Sequence, residues 1–347
     1  MIRVNKKFRA SFKNSGNTRL NSAPHKVCFL MDPYHTLNLA TETSLLCMDE
    51  LMQRGHQVFW LEQDKLSLRK DYLVGKGARV VSTSPFKLST QETFGLDDMS
   101  AVVIRKDPPV DKLYLHLTYL LDFLAPSVAQ INSPLALRNI NEKLFTLNWP
   151  HHCPDTLTTM DPALLHDFIR EHHKVVLKPL DDCSGRGISF VTLNDRGLEQ
   201  TLHGLFSDKG MPRFVMAQEY LPQISSGDKR IYLVNGAAVG WVNRIPAPGN
   251  DLANIHQGAT CHVAELTDSE RMLSWEIGAE LKQEGIILAG LDFIGGYLTE
   301  INVTSPSAVR QINAVYNSQL EVQIVDAILE VIESSQTQNL LRQSVSG

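Results

Sequence analysis

Short apolar runs separated by a helical pattern open the folded part of the chain and restrict its fold more than any other feature. Residues 27–31, 57–61 and 101–105 are each typical of a buried strand, and the helical pattern after the first run ends near Gly55, which fits a C-cap. Strand, helix and strand in this order predict an α/β sheet with functional loops at the carboxyl ends of its strands. Arg105 stands at such an end, in a proline-stiffened loop that is either a grip for an anionic substrate or a plain surface turn.

A second constraint lies near the C-terminus, where two apolar runs flank Gly295 and Gly296. A glycine pair in this setting predicts a β-hairpin. Glu300 and Asn302 are two residues apart on its second strand, so their side chains point to the same face. Carboxylate and amide oxygens suit Mg²⁺, which usually takes only one or two protein carboxylates and fills its shell with water and substrate phosphates. The alternative is an ordinary hairpin with polar residues on a wet face.

Asp292, on the first strand of this hairpin, is the candidate third metal ligand. A two-residue turn would place Asp292 opposite Thr299, on the face away from Glu300. A three-residue turn over residues 295–297 would place Asp292 directly across from Glu300, and either glycine would supply the positive φ that such a turn needs. We therefore predict the three-residue turn.

Composition limits the class of protein. The 347 residues, 43% hydrophobic and 20% charged, predict two or three soluble globular domains. A net charge of -5 argues against a nucleic-acid partner, and the longest apolar candidate, residues 113–125, contains His116 and Asp122 and predicts a buried helix instead of a membrane span. Five cysteines without CxxC spacing fit a reducing cytosol, so we expect a cytoplasmic location.

The first 25 residues differ from the rest of the chain. They carry six lysines and arginines and no acidic residue, and no apolar segment follows that would indicate a secretory signal. We interpret residues 1–25 as a disordered basic extension, or as leader sequence before the domain begins, in preference to a transit peptide. The extension should be dispensable.

The middle of the chain carries features typical of nucleotide binding. Lys178 interrupts an apolar strand over residues 175–179, and a loop of small residues over 180–188 follows it. Such a loop offers backbone N–H groups to phosphates, and the lysine adds a point charge. Neither a GxxxxGK[ST] loop nor a strand-GxGxxG-helix pattern is present, so the common phosphate-binding folds are not indicated. Upstream, Asn141 opens a predicted helix that places a second lysine, Lys143.

Three further segments follow. Residues 214–221 predict a strand that runs into Pro222, a composition typical of a hinge between domains. Asp228 and Arg230 stand at the start of the next strand, which an Asn-Gly turn joins to its partner in a predicted hairpin. Residues 244–262 are rich in Gly, Asn, Ala and Pro and lack periodicity, which predicts an active-site cover loop.

The order of these features resembles that of the ATP-grasp enzymes, and their local sequences resemble those of the bacterial-type glutathione synthetases. The resemblance extends from about residue 26 to residue 330. It is carried by the sequence motifs FLMDP (29–33), RKDPP (105–109), NEKLF (141–145), LKPLD (177–181), GDKR (227–230) and LTEINVTSP (298–306). It implies an ATP-grasp fold preceded by a Rossmann-like α/β domain. The implied units are a substrate-binding domain over 26–142, a central lid subdomain over 143–221, a C-terminal subdomain with the metal site over 222–335 and a tail over 336–347.

The resemblance also implies how ATP would be bound. The implied contacts are lysines and a loop at the phosphates, a strand end at adenine and a carboxylate at the ribose. These residues are Lys143, Lys178, Asp181, Gly185, Gly187, Gln218, Glu219, Tyr220, Leu221 and Asp228. Mg²⁺, with Mn²⁺ as an alternative, would be held by Asp292, Glu300 and Asn302.

The other implied roles concern the reaction. Arg230 and Arg244 would lie at the transferring phosphoryl group, and the dipeptide and the acceptor amino acid would be bound by Arg105, Asn254, Ser305 and Arg310. In the implied reaction, the cysteinyl carboxylate of γ-glutamylcysteine attacks the γ-phosphoryl group of ATP, and the amine of glycine displaces phosphate from the acyl phosphate. Cations suit this chemistry because its transition state disperses negative charge. The resemblance further implies a homo-oligomer, a tetramer, with small molecules as its other partners.

Two departures from the family pattern leave alternatives open. Residues 182–184 read Asp-Cys-Ser where relatives have Gly-Met-Gly, and the cover loop keeps Asn254 and Gly258 but has Leu252 and Thr260 in place of two arginines. Despite these departures, the overall resemblance favours a glutathione synthetase. The alternatives are an ATP-grasp carboxylate-amine ligase with a different acceptor, or an ATP-binding paralogue without catalysis.

Overall fold

The computed structural model describes residues 23–182, 186–208, 211–255 and 258–346. Residues 1–22 of the predicted extension and Gly185 of the predicted phosphate loop lie outside this part of the chain. The described residues form three larger sheets and a two-stranded ribbon, with helices between and around them. The predicted α/β class is therefore confirmed. Among the described residues, no helix combines the length and the apolar character that crossing a bilayer requires.

The first sheet contains the three strands predicted at the start of the chain. Its strands are β1 (Lys26–Met31), β2 (Gln57–Glu62), β3 (Leu66–Arg69), β4 (Tyr72–Thr83), β5 (Phe86–Leu88), β6 (Glu92–Gly95), β7 (Ala101–Ile104) and β8 (Ala129–Ile131). The order is β3-β4-β2-β1-β7-β8, parallel from β2 to β8, with β5 and β6 paired to β4. Its helices are α1 (Thr43–Gln53), α2 (Lys112–Leu121) and α3 (Pro134–Asn139).

The second sheet is antiparallel, in the order β11-β10-β14-β9. These strands are β9 (Thr156–Thr159), β10 (Lys174–Pro179), β11 (Ser189–Thr192) and β14 (Val215–Glu219). Helices α4 (Pro162–His172) and α5 (Leu198–Phe206) accompany this sheet, and β12 (Ser207–Asp208) pairs with β13 (Met211–Pro212) as the separate ribbon.

The third sheet is also antiparallel, in the order β17-β16-β15-β18-β19. Its strands are β15 (Asp228–Val234), β16 (Ala237–Ile245), β17 (Thr260–His262), β18 (Leu288–Ile294) and β19 (Tyr297–Asn302). The helices that follow in this half of the chain are α6 (Asp268–Gln283), α7 (Val309–Tyr316) and α8 (Leu320–Ser346). Helix α8 continues across the predicted boundary between residues 335 and 336.

Local sequence explains several element boundaries. The Glu42 side chain accepts a hydrogen bond from the Ser44 N–H at the start of α1, and Gly55 follows the end of α1 with a φ of +89°. The helix predicted from Asn141 is present but short, and the Asn141 side chain accepts the N–H groups of Lys143 and Leu144 in a turn that caps it. Only a short 3-10 helix, Leu144–Asn148, follows that turn.

Buried apolar residues form three separate clusters. Two of them combine residues of the first and third sheets, so that β1 and β15 contribute to both. The third cluster consists of residues between 157 and 217 and belongs to the second sheet with α4 and α5. The second sheet therefore has a core of its own, whereas the first and third sheets share theirs.

A buried asparagine joins the first sheet to the third. Asn132 follows β8 and is 2% exposed. Its Nδ2 donates to the carbonyl oxygens of Leu288 and Val303 at 2.8 and 2.7 Å, and its Oδ1 accepts the N–H groups of Ile287 and Leu288 at 2.8 Å each. An amide side chain has two donor hydrogens and two acceptor lone pairs, so Asn132 uses its full capacity at this junction.

Candidate active site

The hairpin of β18 and β19 brings Asp292 and Glu300 together, as predicted, but through a different turn. Ile294 pairs with Tyr297, and the two glycines between them have φ values of +58° and +89°. The turn therefore has two residues, and the predicted three-residue turn is wrong. Positive φ at both central positions is typical of a type I′ turn, whose twist matches that of the flanking strands.

A β-bulge corrects the register that this short turn would otherwise give. Phe293 pairs with Leu298, yet the next residue, Asp292, pairs with Glu300, so Thr299 is the extra residue on β19. The Thr299 hydroxyl donates to the Asp292 carbonyl at 3.2 Å and is mostly buried. The bulge therefore turns the Glu300 carboxylate toward the face that Asp292 occupies.

Asp292 lies at the centre of a buried ion-pair cluster. Arg230, its neighbour on β15, donates from Nε and Nη2 to the two Asp292 oxygens at 2.5 and 2.8 Å. Arg244 on β16 adds a third contact, with Nη2 3.0 Å from Asp292 Oδ1. Burial alone would raise the pKa of Asp292, but the two guanidinium groups outweigh it and hold that pKa below its ordinary value. The carboxylate therefore stays charged.

Asp228 completes this cluster from the start of β15. It pairs with Arg244 across the β15-β16 ladder, and Arg244 Nη2 lies 2.5 Å from Asp228 Oδ2. Burial raises the pKa of Asp228 and the nearby Asp292 charge raises it further, against the opposing effect of Arg244. Asp228 Oδ1 and Arg244 Nε have no hydrogen-bond partner among the described residues. The cluster thus keeps polar atoms for a further ligand.

Two lysines reach the same region from other elements. Lys143 Nζ lies 3.3 Å from Glu300 Oε1 and donates to the Asp182 carbonyl. Lys178 on β10 donates to the Gln218 side chain on β14, and burial lowers the pKa of Lys178. A buried amine is an effective site for a phosphate, whose charge offsets the lost hydration of the amine.

A cleft between the second and third sheets collects these side chains. It encloses about 810 Å³, counting the part that is open to solvent, which is within the usual size of a ligand site. The predicted site residues on its wall are Lys143, Lys178, Gln218, Glu219, Tyr220, Leu221, Asp228, Asn254, Asp292 and Glu300. Asp181 and Gly187 do not line this cleft: the Asp181 carbonyl accepts the Val110 N–H, and Gly187 lies against Pro179. We call this cleft the first cavity.

A second cavity of about 1420 Å³, also counted with its open side, lies between the first and third sheets. Arg105, Asn254 and Ser305 line it, together with Arg230 and Asn302. Arg310, predicted to bind substrate, is not on its wall and donates instead to the Glu42 carbonyl at 3.1 Å. The structure therefore brings three of the four predicted substrate residues together.

Arg105 is fixed at the wall of the second cavity. Its Nε donates to Ser44 Oγ at 3.0 Å and its Nη2 to the Pro306 carbonyl at 2.9 Å, while Glu42 lies 3.9 Å away. Its Nη1 is buried without a hydrogen-bond partner among the described residues. The predicted functional loop at the end of β7 is therefore packed against the LTEINVTSP segment and is not a plain surface turn.

Glu142 and Arg186 are site residues that the sequence reasoning missed. Glu142 Oε1 accepts the N–H groups of Val303 and Thr304 and the Thr304 hydroxyl, so it holds the segment that follows β19. Its position beside Lys143 in the phrase NEKLF was the available signal. Arg186 lies on the walls of both cavities, and its place in a loop of small residues gave no comparable signal.

The oxygen donors on β18 and β19 fit a hard divalent cation. Glu300 is the accessible carboxylate, with a side chain 22% exposed and one lysine partner at 3.3 Å. Asn302 lies two residues further along the strand, and its Nδ2 donates to Asp292 Oδ2 at 3.2 Å. Asp292 would have to exchange an arginine contact to bind a metal directly, because both of its oxygens are engaged. One accessible carboxylate and one that could exchange a contact match the small number that Mg²⁺ takes from a protein.

Comparison with known proteins agrees with this geometry. The family model of the prokaryotic glutathione synthetase N-terminal domain matches residues 25–138, and that of the ATP-grasp domain of the same enzymes matches residues 142–317. A glutathione synthetase of Coxiella burnetii is 38% identical over 311 residues, covering 88% of this chain and 96% of the relative. One of Brucella melitensis is 35% identical over 307 residues, covering 87% and 98%.

Solved structures support the fold. The D-alanyl-alanine synthetase A of Vibrio cholerae superposes with a TM-score of 0.57 at 13% identity, over 90% of this chain and 99% of that one. An ATP-grasp ligase bound to its minimal precursor superposes with a TM-score of 0.58 at 17% identity, over 89% and 100%. The predicted ATP-grasp fold is thereby confirmed, and the two family models with the close relatives show that the chain belongs to the prokaryotic glutathione synthetase family.

Proposed function

We propose that this chain is an ATP-dependent ligase that joins glycine to γ-glutamylcysteine and releases glutathione, ADP and phosphate. The observation that carries the proposal is the meeting of the two cavities at Glu300, which lines both of them. A nucleotide in the first cavity and a peptide in the second would present phosphoryl and carboxylate groups to each other there. Membership of the glutathione synthetase family supports the identity of the substrates.

The nucleotide roles follow from the first cavity. Lys143 and Lys178 would bind the phosphates, while the end of β14 and residues 218–221 would surround the adenine. Asp228 would accept a ribose hydroxyl. Asp292, Glu300 and Asn302 would hold Mg²⁺, or Mn²⁺ in its place, and the metal would neutralise phosphate charge.

The side chains of the ion-pair cluster would act on the phosphoryl group during transfer. Arg230 and Arg244 line the second cavity and are held rigidly by Asp292, so their positive charge needs no reorganisation when the transition state forms. Arg105, Ser305 and Asn254 would orient the dipeptide carboxylate and the acceptor amine. No protein nucleophile is required, because the substrate carboxylate and then the amine supply the attacking electron pairs.

The acyl phosphate must be protected from water, which fits a cover over the cavities. Residues 246–259, between β16 and β17, include Leu252, Ala253 and Asn254 on the wall of the first cavity. Asp251 anchors this loop, with Oδ2 2.9 Å from Lys174 Nζ and Oδ1 3.0 Å from the Tyr220 hydroxyl. We propose that the loop closes over the bound substrates from this anchor.

A second candidate function concerns the acceptor. The cover loop has Leu252 on the cavity wall, where relatives have an arginine, so an acceptor amino acid other than glycine is the alternative. A paralogue that binds ATP without catalysis is a weaker alternative, since binding alone would not require the aligned carboxylates, arginines and lysines. We further propose that the enzyme works in the cytoplasm as a homo-oligomer, a tetramer by family resemblance.

An acceptor screen tests these alternatives. Phosphate release would be measured with ATP, Mg²⁺ and γ-glutamylcysteine, with glycine or each of the other small amino acids as the amine. Turnover with glycine supports the glutathione synthetase function. Turnover only with another amine identifies the second function, and nucleotide binding without any turnover would contradict both.

Glu300→Gln tests the proposed role of Glu300 as a metal ligand. The substitution keeps the shape of the side chain but removes the accessible carboxylate, so we expect ligation to fall below detection while the melting temperature stays close to that of the wild type. A variant that still ligates at the wild-type rate would remove Glu300 from the proposed metal site.

A further inference from the structure

Arg186 lies at the junction of the two cavities. Among the described residues, Arg186, Asn254 and Glu300 line both cavities. Of these three, Glu300 is the proposed metal ligand and Asn254 belongs to the cover loop. Arg186 therefore supplies a positive charge at the place where a phosphoryl group would pass from nucleotide to carboxylate.

The contacts of Arg186 connect the phosphate loop with the loop after β7. Its Nη2 donates to the Pro108 carbonyl at 2.8 Å, and its Nε lies 3.5 Å from Asp182 Oδ1. The Asp182 carboxylate, which replaces a family glycine, is thus partly offset by an arginine four residues later. A contact of 3.5 Å is a loose ion pair, which a ligand phosphate can replace at small cost.

The exposure of Arg186 separates it from the other arginines of the cavities. Its side chain is 55% exposed, whereas those of Arg105, Arg230 and Arg244 are 3%, 6% and 4% exposed. Arg230 and Arg244 are held by buried carboxylates and keep fixed positions. Arg186 is open to solvent, and a guanidinium group binds phosphate oxygens in a bidentate manner.

The cover loop, which borders the junction through Asn254, carries no permanent positive charge. Residues 245–270, which include the whole cover loop, contain neither lysine nor arginine. Closure of that loop would therefore exclude water without adding a cation. Arg230 and Arg244 supply fixed cations on the wall of the second cavity, and among the described residues Arg186 is the exposed cation that lines both cavities.

We propose that Arg186 binds the γ-phosphoryl group of ATP and keeps that contact in the acyl phosphate. Only the contact in the acyl phosphate rests on the proposed ligase function. The contact with ATP requires nucleotide binding alone. Arg186 forms no covalent bond in the reaction. Its role is to offset charge on the transferred group.

The test compares three substitutions in the full-length protein, Arg186→Ala, Arg186→Lys and Arg186→Gln. Calorimetry with Mg²⁺ would measure the binding of ADP and of a non-hydrolysable ATP analogue. Loss of one charge-assisted contact should weaken analogue binding by roughly tenfold in Arg186→Ala and leave ADP binding within about twofold of wild type. Arg196→Ala is the matched control, since Arg196 is an exposed arginine of the same region that lines neither cavity.

The lysine and glutamine variants separate charge from structural support. Glutamine can still donate a hydrogen bond to the Pro108 carbonyl but carries no charge, whereas lysine keeps the charge. We expect Arg186→Lys to recover analogue binding and kcat better than Arg186→Gln. Equal recovery by the two would overturn the proposal, as would equal weakening of ADP and analogue or unchanged binding of both.

The outcome is independent of the acceptor screen. If the wild type turns over none of the tested amines, the proposed ligase function fails, while the comparison of ADP with the analogue still decides whether Arg186 contacts the γ-phosphoryl group. If ligation occurs but analogue binding does not respond to Arg186→Ala, only the assignment of Arg186 fails.

Discussion

Asp292 shows how the charge of one residue can fix several others. Its two oxygens receive both guanidinium groups of the cluster and the Asn302 amide, so each partner loses rotational freedom. In return, removal of either arginine leaves a buried carboxylate with less compensation, and breaking a buried ion pair in this way typically costs about 3–5 kcal/mol. The cluster is therefore a source of rigidity for catalysis and a weak point for stability.

Arg230→Ala should reveal both properties. We expect kcat to fall by roughly a hundredfold, because charge on the transferring group loses a fixed cation, while ATP binding changes much less. The free energy of unfolding should fall by about 3 kcal/mol or more, since Asp292 remains buried with fewer partners. Steady-state kinetics and urea unfolding measure the two effects.

Arg170→Ala is the control for this prediction, because Arg170 forms an ion pair with Asp167 in which both side chains are 66% exposed. Its removal should change neither quantity. An Arg230→Ala variant with wild-type kcat would contradict the proposed role of Arg230, whatever its stability.

Cys47 is a buried residue of α1 that lines neither cavity, and its thiol gives the protein a pH-dependent stability. Burial raises the pKa of its thiol from 9.0 to about 12, so the folded state keeps a proton that the unfolded state releases. A raised pKa contributes stability that is complete below pH 9 and is lost as the pH rises toward 12. Between pH 9 and pH 10 the wild type should lose about 1 kcal/mol more stability than Cys47→Ala.

Urea unfolding of both proteins at the two pH values measures this difference. Cys47→Ala will be less stable than the wild type at either pH because it leaves a cavity in the core, so the slope with pH is the informative quantity. Parallel slopes would mean that the Cys47 thiol does not titrate abnormally.

At the scale of elements, the β18-β19 hairpin shows what the sequence could predict and what it could not. The glycine pair and the alternation of polar residues on β19 were sufficient to predict the hairpin and the shared face of Glu300 and Asn302. The bulge at Thr299 was not predictable, since a bulge depends on cross-strand packing and not on the local sequence. The predicted pairing of Asp292 with Glu300 was correct, although the turn proposed to explain it was wrong.

Other misses have similar physical causes. The helix expected after Asn141 is only the 3-10 helix Leu144–Asn148, although the Asn141 side chain accepts the N–H groups of Lys143 and Leu144 as an N-cap residue does. Arg310 was expected at the substrate, but its Nε donates to the carbonyl of Glu42, the residue before α1. The contact of Arg310 is a tertiary one, and a single sequence carries little information about such contacts.

Helix α6 and the Asn235-Gly236 turn make a backbone contact that a pair of glycine substitutions can test. A Cβ atom on Gly278 would lie 2.0 Å from the Gly236 carbonyl oxygen, which cannot move without distorting the β15-β16 hairpin. Gly278→Ala should therefore lower the unfolding free energy by about 2 kcal/mol or more, despite the better helix propensity of alanine.

Gly204 in α5 is the matched control. A Cβ atom there meets nothing within 4 Å, so Gly204→Ala should raise the unfolding free energy by up to about 1 kcal/mol. Opposite signs for the two substitutions in urea unfolding are the expected result. A stabilising effect of Gly278→Ala would contradict the close approach of α6 to the turn.

At the scale of the whole molecule, the basic extension is tied to the first sheet through its last residue, His25. His25 donates its backbone N–H to His56 Nδ1 and accepts the Gln57 N–H with its carbonyl. A protein that lacks residues 1–24 keeps both contacts, so its melting temperature and turnover should equal those of the full chain. A marked loss of either would show that the extension takes part in folding or catalysis.

The separate core of the second sheet has a consequence for the working cycle. Its apolar cluster includes no residue of the other two sheets, and the contacts described at its borders are polar, among them the Asn141 side chain with the Leu180 carbonyl and Lys174 with Asp251. Water can replace such contacts at little net cost. We therefore expect the second sheet to move as a rigid body that admits ATP and releases ADP while its own apolar core stays intact.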